Sequence, residues 1–129
     1  MPTTTAMTNT LESALINLVL NGTPYIAGQV TYVGILSAAG SDSSQTEMSG
    51  SSRQAIAFGS SSGGSAVTNT GAITFTNSGW GSTSVYGVGF YTSSSLGTCL
   101  LYGNFDSVVT VTSGQSLQFN IAGITISMD

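Results

Sequence analysis

The segment Val30-Thr31-Tyr32-Val33-Gly34-Ile35-Leu36 decides the fold, because it is a nearly continuous run of apolar and β-branched residues. A run of this kind is typical of a central strand that is covered on both faces. A turn signal at Thr23-Pro24 precedes it, and a loop rich in serine and glycine follows it over residues 37–51. The segment therefore predicts a buried strand in a β-rich domain.

Shorter strand candidates follow toward the C-terminus. They cover residues 53–58, 66–76, 83–91, 98–105, 108–112, 117–121 and 124–128. Glycine or serine separates most of them, including a flexible connector at 59–65 and a hairpin turn at 92–97. Many short strands with turn signals about every 8 to 12 residues indicate an all-β fold, an antiparallel β-sandwich or jelly roll.

The residues before the buried run predict one short α-helix over residues 9–21. Asn9 followed three residues later by Glu12 forms a capping-box pattern, and Asn21-Gly22 supplies the stop. Both sides of this helix are apolar, so it needs cover from the sheet and from a second partner, such as a neighbouring subunit. One side carries Leu11, Ala14, Leu15 and Leu18, and the other carries Ile16, Val19 and Leu20.

We expect a single domain over residues 1–129, with an extended arm at 1–8, the helix at 9–21 and a β-sandwich at 30–129. The arm is rich in threonine, and we expect it to be mobile and to reach a neighbouring subunit. The N-terminal residues have no basic region, and asparagines interrupt the apolar residues that follow. The sequence therefore predicts neither a signal peptide nor a membrane span, and it predicts assembly in the cytoplasm.

Charged residues are scarce: five carboxylates and one arginine give a net charge of −4, without any histidine. Binding to nucleic acid or to an acidic membrane surface needs clustered Lys and Arg, which this chain lacks. An imidazole base is excluded, as is a zinc site of Cys and His ligands. The carboxylates form no catalytic or calcium-loop pattern. We expect no enzymatic activity and no cofactor, and we interpret the lone Cys99 as a small buried hydrophobe.

Arg53 is the sole cation and follows Glu47 by six residues. An arginine in a β-rich domain can act as a structural clamp that donates hydrogen bonds to a carboxylate and to loop carbonyls. Alternatively, Arg53 forms an intersubunit salt bridge and is an assembly contact. The sequence leaves both interpretations open.

Trp80 lies between two glycines, with Tyr86 and Tyr91 in the strand that follows. A tryptophan in this position often packs over the open end of a sandwich core. Alternatively, the three aromatic residues form a surface that stacks on sugar rings, with Asn and Ser side chains as hydrogen-bonding partners. Both interpretations stay open.

Seven short motifs occur in order along nearly the whole chain. They are Gly22-Thr23-Pro24-Tyr25, Tyr32-Val33-Gly34-Ile35-Leu36, Thr46-Glu47-Met48-Ser49-Gly50-Ser51-Ser52-Arg53, Asn69-Thr70-Gly71-Ala72-Ile73-Thr74-Phe75, Trp80-Gly81, Gly114-Gln115-Ser116-Leu117 and Ile124-Thr125-Ile126-Ser127-Met128-Asp129. In this order the chain resembles a family of small tailed-bacteriophage virion proteins, usually labelled tail-fibre-like. It departs from the family pattern where the aromatic residue before Arg53 is missing and where Gln115 replaces an acidic residue.

The resemblance implies a non-enzymatic structural protein with a β-sandwich body on the virion surface. Small size, scarcity of charge and the two-sided helix favour a capsid decoration, or cement, protein. Such a protein would form a homo-oligomer, with a trimer favoured, and tie subunits of the major capsid protein together. The residues expected at its assembly interface are Leu15, Ile16, Val19, Leu20 and Arg53.

The alternative function is a tail-fibre-associated or receptor-binding module. Its partners would be tail proteins and a glycan on the host surface. The glycan contacts would be Trp80, Tyr86 and Tyr91. For either function we expect neither nucleic acid nor a membrane among the partners.

Overall fold

The computed structural model describes residues 3–61 and 66–127. Residues 62–65 of the predicted connector and Met128 of the last predicted strand lie outside these ranges. The elements in chain order are β1 (Thr3–Met7), α1 (Asn9–Asn21), β2 (Tyr32–Leu36), β3 (Gln54–Ala55), β4 (Ala66–Thr68), β5 (Ile73–Thr76), β6 (Ser84–Tyr91), β7 (Cys99–Thr110), β8 (Ser116–Phe119) and β9 (Thr125–Ser127). Strands in antiparallel pairs with one short helix confirm the predicted all-β class.

The largest sheet has five strands in the order β1-β7-β6-β2-β3. Strand β2 pairs with β6 over its full length, with Tyr32 opposite Tyr91 and Leu36 opposite Gly87. Residues 33–36 are all buried. Because neighbouring residues of a strand point to opposite faces, both faces of β2 are covered, as the apolar run predicts.

Two ribbons of two strands each, β5–β8 and β4–β9, complete the β-structure. In β5 and β8, buried residues alternate with exposed ones, so one face of this ribbon lies in the core and the other meets solvent. The rings of Phe119 in β8 and Phe105 in β7 have centroids 6.2 Å apart and join the ribbon to the large sheet. The core is formed by Val33, Ile35, Met48, Ile56, Ile73, Phe75, Val85, Val88, Phe90, Phe105, Val111, Leu117, Phe119 and Ile124.

The loop between β2 and β3 covers the opposite face of the large sheet. Its path is fixed beside β2, where the N–H of Met48 donates to the carbonyl of Ile35 at 2.8 Å. Gly34 points to this face, since its neighbours in β2 point into the core. A Cβ at Gly34 would collide with the carboxylate of Glu47. The missing side chain at Gly34 therefore allows the Glu47 carboxylate to lie directly on the sheet.

The single strand predicted over residues 66–76 is wrong, because Asn69 divides it into β4 and β5. The Asn69 side chain is buried, and its Nδ2 donates to the carbonyls of Gly71 at 2.7 Å and Asn120 at 3.0 Å. Its Oδ1 accepts the N–H of Ile124 at 2.8 Å. These bonds hold the chain in a turn, so that β4 and β5 pair with different partners.

Two other strand boundaries also differ from the predictions. The strands predicted over 98–105 and 108–112 are one continuous strand, β7, because its pairing with β6 extends across a bulge to Ser84 opposite Thr110. The strand predicted over 53–58 shortens to β3, which pairs with only the first two residues of β2.

The N-terminal arm predicted at 1–8 is instead an edge strand where the structure describes it. Strand β1 pairs antiparallel with β7, from Thr3 opposite Phe105 to Met7 opposite Leu101. Threonine-rich segments favour extended pairing, and the edge of β7 supplies unpaired backbone groups for it. These residues are therefore extended and paired with their own chain, and contact of the arm with a neighbouring subunit stays a prediction.

Helix α1 has the predicted bounds but a different N-cap. The cap is Thr8 rather than Asn9: the Thr8 hydroxyl oxygen accepts the N–H of Leu11 at 3.5 Å. The backbone of Thr8 also pairs with Leu100 of β7 at 3.0 Å, which fixes the start of the helix on the sheet. Gly22 ends the helix in the left-handed conformation with φ 67°, as the sequence predicts.

Candidate functional site

Helix α1 presents an apolar stripe to solvent. Ile16, Val19 and Leu20 are 55%, 75% and 74% exposed. Their spacing of three and four residues places them on one side of the helix, and we call these three residues the α1 surface. Removing such a side chain from water stabilises a protein by about 1.5–3 kcal/mol, so adjacent exposed apolar residues are a candidate site of interaction.

The other apolar stripe of α1 faces its own chain. Leu11 is buried, Ala14 and Leu15 are half-buried, and Leu18 is 40% exposed. The prediction that the helix is apolar on two sides is therefore confirmed. Leu15 belongs to the inner stripe, so it offers less surface to a partner than the three residues of the α1 surface.

Arg53 forms a clamp on the face of the sheet opposite the core. Its Nε and Nη2 donate to the two carboxylate oxygens of Glu47 at 2.9 and 3.0 Å. Its Nη1 donates to the main-chain oxygens of Ser93 and Leu96 at 2.8 and 2.7 Å. The guanidinium also lies over the ring of Tyr91, 3.7 Å from the centroid. The clamp therefore joins the β2–β3 loop to the turn between β6 and β7.

These contacts bear on two of the predicted roles. Four of the five N–H bonds of Arg53 are used within its own chain, so an intersubunit salt bridge by Arg53 stays a prediction. Tyr91 is buried beneath the guanidinium, and this burial raises the pKa of its phenol well above the usual value. Arg53 covers a face of the Tyr91 ring, so stacking of Tyr91 on a sugar stays a prediction that would require Arg53 to move.

Trp80 lies on the rim of a groove of about 260 Å³ between β3 and β5. One part of its half-buried side chain packs against the core, and the rest lines the groove beside Gln54 and Thr74. The core-packing interpretation therefore holds for part of the Trp80 side chain, and sugar stacking by the rest stays a prediction. Tyr86 and Tyr91 do not line the groove, so the structure does not bring the three predicted aromatic residues together.

Asn77 is a positioning residue that the sequence analysis missed. Its buried side chain accepts the backbone N–H groups of Gly79 at 3.2 Å and Trp80 at 3.0 Å, and donates to the carbonyl of Val111 at 2.8 Å. An Asn that precedes Ser-Gly is a typical start of an Asx turn, and this signal would have identified it. Asn77 therefore fixes the backbone that carries Trp80.

A second polar contact holds the β2–β3 loop on the sheet and gives a testable prediction. The Tyr102 hydroxyl donates to Asp42 Oδ1 at 2.7 Å, and this bond raises the pKa of Tyr102 to about 12. Since the folded pKa exceeds the ordinary value of about 10, the contribution to stability is complete below about pH 10 and is lost between about pH 10 and pH 12. Tyr102→Phe should lower the free energy of unfolding by about 1 kcal/mol at neutral pH. The variant should also lose less of its free energy of unfolding than the wild type as the pH rises above about 10.

Urea denaturation at neutral and alkaline pH measures both effects of Tyr102→Phe. Tyr25→Phe is the matched control, because the Tyr25 hydroxyl also makes one hydrogen bond, to the carbonyl of Gly28, but in an exposed loop. An equal loss of stability in the two variants would contradict a specific contribution from the Tyr102–Asp42 contact.

In residues 3–61 and 66–127 there is no helix long and apolar enough to cross a membrane. The same ranges contain no group of three His, Cys, Asp or Glu residues arranged to hold a metal ion. The thiol of Cys99 is half-buried, and this burial raises its pKa.

The structure defines an all-β protein with one short helix that exposes an apolar surface. A family model described as podophage GP4 fiber I protein gp80 matches residues 6–127. The match spans nearly the whole chain, so the chain belongs to this family, and the predicted resemblance to tail-fibre-like virion proteins is confirmed. No curated protein matches the chain. The protein is a phage structural protein and a component of the virion.

Proposed function

We propose that the protein is a subunit of a virion fibre and that its copies assemble as a homotrimer through the α1 surface. The observation that carries this proposal is the exposure of Ile16, Val19 and Leu20 in a chain whose other large apolar residues mostly lie in the core. Side chains three and four residues apart form the ridges by which helices pack together. Three α1 helices around a common axis would bury all three copies of the surface at once.

The charge distribution supports contact between identical helices. Glu12 in the first turn is the only charged residue of α1, and residues 13–21 carry no charge. Copies of the helix therefore approach each other without like-charge repulsion along the α1 surface and without the cost of desolvating an ion. Asn17 and Asn21 border the surface, where Asn21 Nδ2 donates to Asn17 Oδ1 at 3.0 Å.

The family description favours a fibre over a capsid decoration role. The decoration role, with the major capsid protein as partner, stays a prediction, as do contacts with tail proteins. Quantitative mass spectrometry of purified virions separates the two roles. A few copies in multiples of three would support the trimeric fibre, whereas copies in simple ratio to the major capsid protein would overturn it in favour of decoration.

Val19→Asp should prevent the proposed trimer from forming while the isolated subunit stays folded. Val19 is 75% exposed in the single chain, so the change removes little packing within the subunit. In a trimer, however, three carboxylates would be buried close together at the axis, which is strongly unfavourable. Native mass spectrometry and light scattering should show trimers for the wild type and monomers for the variant.

The matched control is Asn17→Asp, which adds the same charge to the same helix outside the α1 surface. We expect this control to remain trimeric, and circular dichroism should show both variants folded. A wild-type protein that is monomeric at all accessible concentrations would contradict the proposed trimer. A folded Val19→Asp variant that stays trimeric would instead show that the trimer interface does not include the α1 surface.

A further inference from the structure

We propose that the groove beside Trp80 binds an uncharged saccharide. The groove lies between β3 of the large sheet and β5 of the ribbon, and its volume is about 260 Å³. This volume is just below the range typical of sites for drug-sized ligands, and it suits one or two sugar rings. The residues that carry the inference are Ser52, Gln54, Thr74, Ser78 and Trp80.

The chemistry of the lining matches a sugar in two respects. The indole of Trp80 supplies a flat apolar surface, which can stack on the apolar face of a pyranose ring. Gln54 carries an amide, and Ser52, Thr74 and Ser78 carry hydroxyls that can exchange hydrogen bonds with sugar hydroxyls. An apolar platform beside a few placed polar groups is the usual composition of a small-molecule site.

The absence of charge from the lining selects the class of saccharide. No residue of the groove is an Asp, Glu, Lys or Arg within the described part of the chain. Arg53, the only Lys or Arg of the sequence, is already paired with Glu47 in the clamp. A phosphate or carboxylate on the ligand would thus lose its hydration without gaining a cation. Neutral sugars should bind, and their acidic counterparts should not.

The walls of the groove are held in place before any ligand arrives. Asn77 fixes the backbone of Trp80 through its side-chain oxygen. The N–H of Gly81 donates to the carbonyl of Ser49 at 2.8 Å, which joins the two loops that border the groove. Gly50, with φ 80°, packs so closely on the backbone of Gly79 that a Cβ would not fit. A site organised in advance loses less entropy on binding.

The natural fluorescence of the protein tests this proposal directly, because Trp80 is the only tryptophan in the sequence. The full-length protein is titrated with glucose, galactose, mannose and N-acetylglucosamine and with their short oligomers. Glucuronic acid and glucose 6-phosphate are the charged comparisons. We expect a saturable change in Trp80 emission with at least one neutral sugar or oligomer and no saturable change with the charged sugars.

Two substitutions and one control assign the binding to the groove. By NMR titration, Trp80→Ala should weaken binding by about tenfold or more, and Gln54→Ala by about fivefold. Gln118→Ala is the control, because Gln118 is an exposed amide on β8 opposite Thr74 but does not line the groove. We expect wild-type affinity for this control. Gln54→Ala keeps the test valid if Trp80→Ala does not fold.

Three results would overturn the proposal: no saturable signal with any neutral sugar or oligomer, equal binding of the charged sugars, or full binding by the folded Trp80→Ala and Gln54→Ala variants. The inference goes beyond the proposed assembly through α1, and its test is separate. Sugar binding can be measured whether the protein is a monomer or a trimer. A failure of the sugar-binding test therefore does not contradict the proposed trimer, and a failure of the trimer test does not contradict sugar binding.

Discussion

Replacing Arg53 with alanine is expected to lower the free energy of unfolding by about 3 kcal/mol. The Arg53 side chain is 9% exposed and that of Glu47 is 30% exposed, so the carboxylate would lose its cation in a site that water only partly reaches. The carbonyls of Ser93 and Leu96 would lose their donor as well. The ring of Tyr91 would lose the guanidinium that covers it.

Urea denaturation followed by the fluorescence of Trp80 measures this loss. Arg53→Lys is the informative control, since lysine keeps the charge but cannot donate to both oxygens of Glu47 and to two carbonyls at once. We expect it to recover about half of the lost stability. A loss below about 1 kcal/mol for Arg53→Ala would show that the clamp contributes no more than an exposed ion pair.

Asn69→Ala is expected to lower the free energy of unfolding by a similar amount, about 3 kcal/mol. The Asn69 side chain is 1% exposed and makes three hydrogen bonds to backbone groups. Its replacement leaves the buried N–H of Ile124 without a partner and opens a small cavity. The two ribbons should then separate more easily, because Asn69 ties the start of β5 to the ends of β8 and β4.

The control for Asn69→Ala is Asn120→Ala. Asn120 contributes its main-chain carbonyl to the same network, but the residue itself is exposed, so we expect a change of less than about 0.5 kcal/mol. Hydrogen exchange should show faster exchange in β4 and β9 for Asn69→Ala than for the control. Similar stability of the two variants would mean that solvent replaces the bonds of the Asn69 side chain.

The features predicted correctly depend on neighbouring residues in the sequence. The buried strand β2 follows from its continuous apolar run, and α1 follows from apolar spacing and the Gly22 stop. The break at Asn69 was missed because its partners Asn120 and Ile124 are 51 and 55 residues away. The local pattern of β-branched residues does not show that the Asn69 side chain will bond to such distant backbone groups and form a turn.

The candidate sites also differ in whether they depend on neighbouring or on distant residues of the sequence. Ile16, Val19 and Leu20 were predicted as a second apolar side of the helix, because helical periodicity alone separates them from the inner stripe, and the structure exposes them. The groove itself was not predicted, and of its lining residues only Trp80 was named as a candidate glycan contact. Gln54 comes from a different strand of the chain, and only the packing of β3 beside β5 brings it near Trp80.

The connection between β1 and α1 determines how the subunit would respond to mechanical force. A load applied to α1 along the direction of β1 passes through Thr8 into the five paired residues of that strand. The hydrogen bonds of an antiparallel pair run perpendicular to the strands, so this load acts on all of them in shear rather than opening them one at a time. In the proposed fibre, tension on α1 would therefore be resisted by all of these hydrogen bonds together.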